Sequence, residues 1–416
     1  MVNKKCVLIV VVLLSLLMAL PIVSGCAGGG APEKEKVVRY LSIADYTGPI
    51  AGLNVPADMG IADYFKYVND KGGIDGVKVE FIAVDTRYDV ARGVSAYKRY
   101  RSEPRLLLIN IIASGTAEAL TPLVEKDKLV GLNPHEGRVV ARKGRLFNWS
   151  VVYQDAFGFA VDWMAKDWKA KGNPGMPTVG YMQWDNAYGR SGLEGGQEYA
   201  EKVGVKLLPP EFFPAGSLSH NVWLDRLAKG GANYIYIGGI DPNPTLLLKD
   251  AYAMGLMKTI QFVADWWGPT DTVGIKLHPE ATENCCVVSW FLRDNEAREN
   301  PLAKELWTKY RTQPISEMNC TYIATAASWG ITYEAAVKAA LKKVGYEKLD
   351  AEAMYQAMCN SVTGLDKKGI MGPCTYTATE RRGSDLGKMY RVTKGHSVAI
   401  TDWVKFPDTV SLHKFE

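Results

Sequence analysis

Little in this 416-residue sequence points to chemistry performed on a substrate. It holds no GxxxxGK phosphate loop, and no GxGxxG follows a strand-like run. Gly189-Arg190-Ser191-Gly192 lacks the GxSxG spacing of a nucleophile elbow. His135, His220, His278, His396 and His413 are too scattered for a metal site, and no CxxC occurs. These absences argue against an enzyme, a resident metal and a cofactor. Charge of one sign is also missing, since 49 Lys and Arg stand against 45 Asp and Glu. No basic run rises above a solvated face, so nucleic-acid binding gains no support. Only one apolar stretch reaches membrane-spanning length. With 47% hydrophobic and 23% charged residues, the composition is that of an ordinary globular protein.

The one long apolar stretch comes first. Lys4 and Lys5 precede Cys6 to Val23, which is apolar apart from Ser15. A basic start, an apolar core and a small-residue cleavage zone form a secretory signal. The cleavage zone Val23-Ser24-Gly25-Cys26 resembles the bacterial lipobox, whose cysteine becomes the lipidated N-terminus. Residues 1–25 are therefore expected to be a lipoprotein signal peptide, and Cys26 the lipidation site. Two acyl chains suffice for stable anchoring where one is marginal. Residues 26–36, with three consecutive glycines and then APEKEK, form a tether. The protein is expected outside the cytoplasm, lipid-anchored to the cell membrane or in the periplasm.

Cysteines can pair in that setting. The body has five: Cys285, Cys286, Cys320, Cys359 and Cys374. If any bond forms, Cys359–Cys374 is the expected one, joining a helix end to a following strand.

From Val37 onward, short apolar runs alternate with amphipathic segments. VVRYLSIAD, VKVEFIAVD and RLLLINIIAS read as strands, separated by helices over Ala57–Asp70 and from Asp89. After KGNPGMP the alternation resumes with TVGYMQW, YIYIGG and TIQFVADWW, and strands return from Ile370. This pattern indicates βαβ units and parallel sheets, in two α/β domains. Parallel sheets hold ligands in the loops at the carboxyl ends of their strands. A cleft between two such domains is a common small-molecule site.

The series YTGPIAG, VNDKGGIDGVKVEFIAVDT, NIIASGT, MQWDNAYGRSG and YIYIGG resembles the type I periplasmic binding proteins. More narrowly, it resembles their leucine/isoleucine/valine-binding branch, which serves ABC importers. The resemblance implies two Rossmann-like parallel-sheet lobes joined by a three-stranded hinge, with the ligand cleft between them. Lobe 1 would comprise 37–150 and 286–368, and lobe 2 would comprise 151–285 and 369–416. It implies a monomer that delivers its ligand to a permease and ATPase. A lipoprotein presenting a ligand to a receptor kinase is the alternative.

Candidate ligand residues follow from strand ends and from this resemblance. Ser114, Gly115 and Thr116 open a helix after a strand, where free N–H groups and hydroxyls receive a carboxylate. In Asn133-Pro134-His135-Glu136-Gly137 the family's small or hydroxyl residues give way to His, Glu and Gly, with His135 and Gly137 as candidate contacts. Tyr188 falls where the family places a ring over the ligand, with Tyr153 as an aromatic neighbour. Leu53 stands where the family commonly has a ring. Asp241 and Asp265 follow strands, and Asp265 or the adjoining Trp266 occupies the family's ammonium-binding position. The expected ligand is a small carboxylate with an apolar tail. An amino acid is expected first, and an aromatic acid without the amino group second.

Overall fold

The computed structural model describes residues 35–133 and 135–415. The expected signal peptide, Cys26 and most of the expected tether lie outside the described residues. Among the described residues, no helix is long and apolar enough to cross a membrane.

Five strands build the first sheet: β1 (Val37–Ala44), β2 (Lys78–Asp85), β3 (Leu106–Ile111), β4 (Gly131–Asn133) and β5 (Leu146–Asn148). Their order is β2-β1-β3-β4-β5 and every pairing is parallel. Helices cover both faces, which explains why β1 and β3 are mostly apolar, apart from Arg39, Ser42 and Asn110, rather than alternating. Val38 and Tyr40 face α1 (Ala51–Asp70), against Ala57, Ile61 and Phe65. Leu41 and Ile43 point the other way, towards Tyr97 of α2 (Val90–Tyr100) and Leu120 of α3 (Ser114–Asp127). The helix predicted from Ala57 thus begins six residues earlier and carries Pro56 inside it. That proline removes one backbone bond, and the buried face of α1 offsets the loss.

The short helix α4 (Gly137–Arg142) follows β4, and α5 (Tyr153–Ala170) leads from β5 to the second sheet. That sheet contains β6 (Thr178–Trp184), β7 (Lys206–Leu207), β8 (Glu211–Phe213), β9 (Tyr234–Ile237), β10 (Gln261–Ala264), β11 (Cys286–Ser289), β12 (Leu386–Thr393), β13 (His396–Ala399) and β14 (Val404–Lys405). Its main path is β13-β12-β11-β10-β9-β6-β7, with β8 on β6 and β14 on β12. The central strands β6, β9, β10 and β11 are parallel, whereas β12 and β13 add antiparallel edges.

Two sequence expectations change here. Cys286–Ser289 was assigned to the first lobe, yet β11 is bonded to β10 and β12 of the second sheet. The chain leaves that sheet after Ser289. Its next helices return to α1, where the Thr325 hydroxyl donates to the Ala57 carbonyl at 2.6 Å. Gly60 permits this approach, because a Cβ there would lie 1.8 Å from the Tyr322 carbonyl oxygen. The expected Cys359–Cys374 disulfide is likewise absent, and all five described cysteines are free thiols. Cys359 Sγ instead lies 3.3 Å from the Arg381 guanidinium, and Cys374 Sγ lies 3.9 Å from the Gly372 carbonyl.

Candidate ligand cleft

The carboxyl ends of strands from the two sheets meet around a nearly closed cavity of about 20 Å³. The first sheet contributes Ile50 and Leu53 at the start of α1, Tyr88 after β2, and Ile112 and Ser114 after β3. Trp149 follows β5, and Tyr153 opens α5. The second sheet contributes Trp184 at the end of β6, Tyr188, Ile240 after β9, and Trp267 after β10. Six aromatic rings and four aliphatic side chains therefore surround the Ser114 hydroxyl, and Tyr88, Tyr153 and Tyr188 bring phenolic hydroxyls of their own.

Local sequence explains how Tyr188 is held. It lies in α6 (Ala187–Ser191), whose N-terminus is capped by Asn186 accepting from the Gly189 amide at 3.0 Å. Gly189 is required by close packing, since a Cβ there would stand 2.0 Å from the Trp184 carbonyl oxygen. The Tyr188 hydroxyl accepts from the Gly239 amide at 2.9 Å and donates to Asp265 Oδ2.

Asp265 is fully buried behind this ring. Its Oδ1 accepts from the Trp267 amide at 3.0 Å, and Gln183 also supports the carboxylate. Burial nevertheless pushes its pKa up to about 7. Asp241 accepts from Thr245 Oγ1 at 2.8 Å and from Thr270 Oγ1 at 2.7 Å. It lines an adjoining space of about 20 Å³ that shares Leu53, Ile240 and Trp267 with the cavity.

Of the other sequence candidates, Leu53, Ser114 and Tyr153 line the cavity. Thr116 does not: its Cγ2 is 2.4 Å from where a Cβ on Gly93 would sit, so it packs onto α2. Gly115 is half-buried, with Val90 opposite. The Gly137 amide is held by Gln154 Oε1 at 3.2 Å. Trp266 stacks on Tyr153 with centroids 5.3 Å apart, in the layer behind the lining, while Trp267 reaches the cavity. His135 lies among these rings, 4.7 Å from Trp266, with Nδ1 2.6 Å from the Val151 carbonyl oxygen. Burial lowers its pKa to about 3, so it is neutral and Nδ1–H donates.

Between the candidates His135 and Gly137 sits Glu136, a departure from the family pattern that was not among the candidate contacts. Glu136 is 2% exposed, and its Oε2 accepts from Ser191 Oγ at 2.7 Å. That bond joins the loop after β4 to α6, and so links the two sheets. Its backbone amide is fixed by Asn133 Oδ1 and Asn148 Oδ1, each at 3.1 Å. Ser114 stands close enough to this carboxyl to favour its charged form, whereas burial pushes its pKa up to about 7. The hydroxyl expected to receive a ligand carboxylate thus has an acid beside it. The signal was present in NPHEG, where a glutamate replaces a small residue at a strand end.

The family model described as periplasmic binding protein matches residues 42–397. A leucine-, isoleucine-, valine-, threonine- and alanine-binding protein of Pseudomonas aeruginosa is 22% identical over 50% of this chain, and the match spans 56% of that protein. A Leu/Ile/Val-binding protein homolog of Brucella melitensis is 20% identical over 86% of this chain and 92% of its own length. The crystal structure of a branched-chain amino acid ABC transporter protein from Thermus thermophilus with bound valine superposes with a TM-score of 0.79. It is 18% identical and covers 91% of this chain and 98% of that one. With its two α/β sheets and the cavity at their strand ends, the chain belongs to the periplasmic binding protein family.

Proposed function

We propose that this protein is the extracytoplasmic receptor of an ABC importer, lipid-anchored through Cys26, which captures a small molecule with an apolar or aromatic body and delivers it to a permease. The observation that carries this reading is the aromatic cavity at the facing strand ends, built from both sheets. Walls contributed by separate sheets suit a ligand that enters when they part and is enclosed when they close. Ten apolar or aromatic linings supply affinity through burial, and few polar groups are left to fix orientation.

Mass spectrometry of the ligand that co-purifies, followed by calorimetry with that compound, tests the reading. A ligand present at about 100 times its dissociation constant stabilises the protein by about 2.7 kcal/mol. Tyr188→Ala and Trp267→Ala should each abolish most of that shift, and retention of full affinity in both would defeat the cleft. Anchoring has its own test. Cys26→Ser should release protein from the membrane fraction without lipid, and a mutant still held there by an intact leader would refute the lipobox.

A further inference from the structure

Asp241 and Asp265, the acids expected to meet a ligand, are saturated by protein donors. Glu136 is not. Its Oε1 has no hydrogen-bond partner although the residue is buried. Arg138, which feels its charge, is engaged by Glu194 at 2.6 Å and faces Glu118 at 3.9 Å. An unpaired carboxyl oxygen out of water is costly, and a ligand donor would remove that cost through a charge-assisted bond. Ser114 and Tyr88, both cavity-lining, are near neighbours of this carboxyl.

We propose that Glu136 Oε1 is the recognition point for a ligand N–H donor, so that the cavity takes amines or amides with an apolar body in preference to carboxylates. This rests on the ligand-cleft reading above and names the ligand's head group. A carboxylate at Ser114 would lie against Glu136, and the pair would need an additional proton. An ammonium or amide there completes the unpaired oxygen instead. Recognition of nitrogen thus comes from the first-sheet side, beside the cavity-lining Ser114, and not from Asp265.

Calorimetry on the full chain at about pH 8, above the Glu136 range, tests this with three probes of one body: phenethylamine, phenylacetamide and phenylacetate. The amine and the amide should each bind at least about tenfold tighter than the acid. Glu136→Gln should weaken the amine by at least about tenfold and leave the acid unchanged or improved. The ranking in the wild-type protein stands as a test even if the variant fails to fold. Phenylacetate binding as tightly as the nitrogen probes overturns the proposal. So does failure of both nitrogen probes to bind, or an unchanged amine affinity in a folded Glu136→Gln variant. The cleft reading fails separately, if affinity for every probe survives Tyr188→Ala.

Discussion

Two acids buried behind the cavity lining, Asp265 behind Tyr188 and Glu136 beside Ser114, are built to opposite ends. Asp265, on the second-sheet side, is closed off by the Tyr188 hydroxyl, the Trp267 amide and Gln183. Glu136, on the first-sheet side, reaches across to Ser191 with one oxygen and leaves the other unpaired. Burial raises both to about 7. Similar desolvation therefore produces two different groups: Asp265 orients an aromatic wall, and Glu136 has capacity left for a ligand. A raised pKa reports burial, and only the count of partners reports availability.

The comparison breaks most visibly at Tyr188. Its ring is buried against Tyr153, with centroids 4.9 Å apart, and its hydroxyl serves Asp265 and the Gly239 amide. Tyr188→Ala should cost about 3–5 kcal/mol of stability, as large buried rings do. Tyr188→Phe keeps the ring and leaves Asp265 Oδ2 without its donor. Thermal unfolding of the pair separates ring from hydroxyl, and equal losses would mean that the Asp265 bond contributes nothing.

Glu136 comes next through pH. Its folded pKa, about 7, exceeds the ordinary 4.5, so the folded state holds a proton that the unfolded chain releases. The associated stability is full below pH 4.5 and is lost as pH rises through 7. Wild type should therefore lose roughly 3 kcal/mol relative to Glu136→Gln across that window. Parallel stability curves for the two proteins would remove Glu136 from the buried acids.

Asp265→Asn should have a smaller effect, about 1–3 kcal/mol, because the amide can accept from only one of Tyr188 and Trp267 and turns a donor towards the other. The head-group ranking among amine, amide and acid should not change. A selective loss of amine affinity in Asp265→Asn would reverse the assignment and return nitrogen recognition to the second sheet.

Much of this architecture was legible in the sequence. Apolar runs bounded by Gly, Pro and Asn located the central strands of both sheets, because strands buried on both faces must be apolar throughout. The ends of those strands, together with the family resemblance, pointed to Ser114, Tyr153 and Tyr188. Three features were not legible. Thr116 turned to α2 because Gly93 left a hollow there, which is a tertiary fact without a local signal. The choice between Trp266 and Trp267 depended on which ring could stack on Tyr153. Glu136 was hidden by its type, since a glutamate in a loop is ordinarily exposed. The assignment of β11 failed because the pairing of Cys286 with Val263 and Arg391 is long-range.

Ser191→Ala should give the smallest effect and the sharpest separation of latch from recognition. The hydroxyl stands 2.7 Å from both Glu136 Oε2 and the Ala187 carbonyl oxygen, so its single proton serves one of them at a time. Removing it withdraws one bond between the sheets and leaves the unpaired Oε1 in place. The cost should be about 0.5–1.5 kcal/mol, typical of one hydrogen bond. If Ser191 only helps hold the walls together, affinity should fall by a similar factor for phenethylamine, phenylacetamide and phenylacetate. If the Ser191 bond instead orients Glu136 towards the ligand, the nitrogen probes should weaken and phenylacetate should not. A uniform fall therefore assigns closure to Ser191 and head-group selection to Glu136 Oε1. A selective fall makes Ser191 a positioning residue for the same carboxyl.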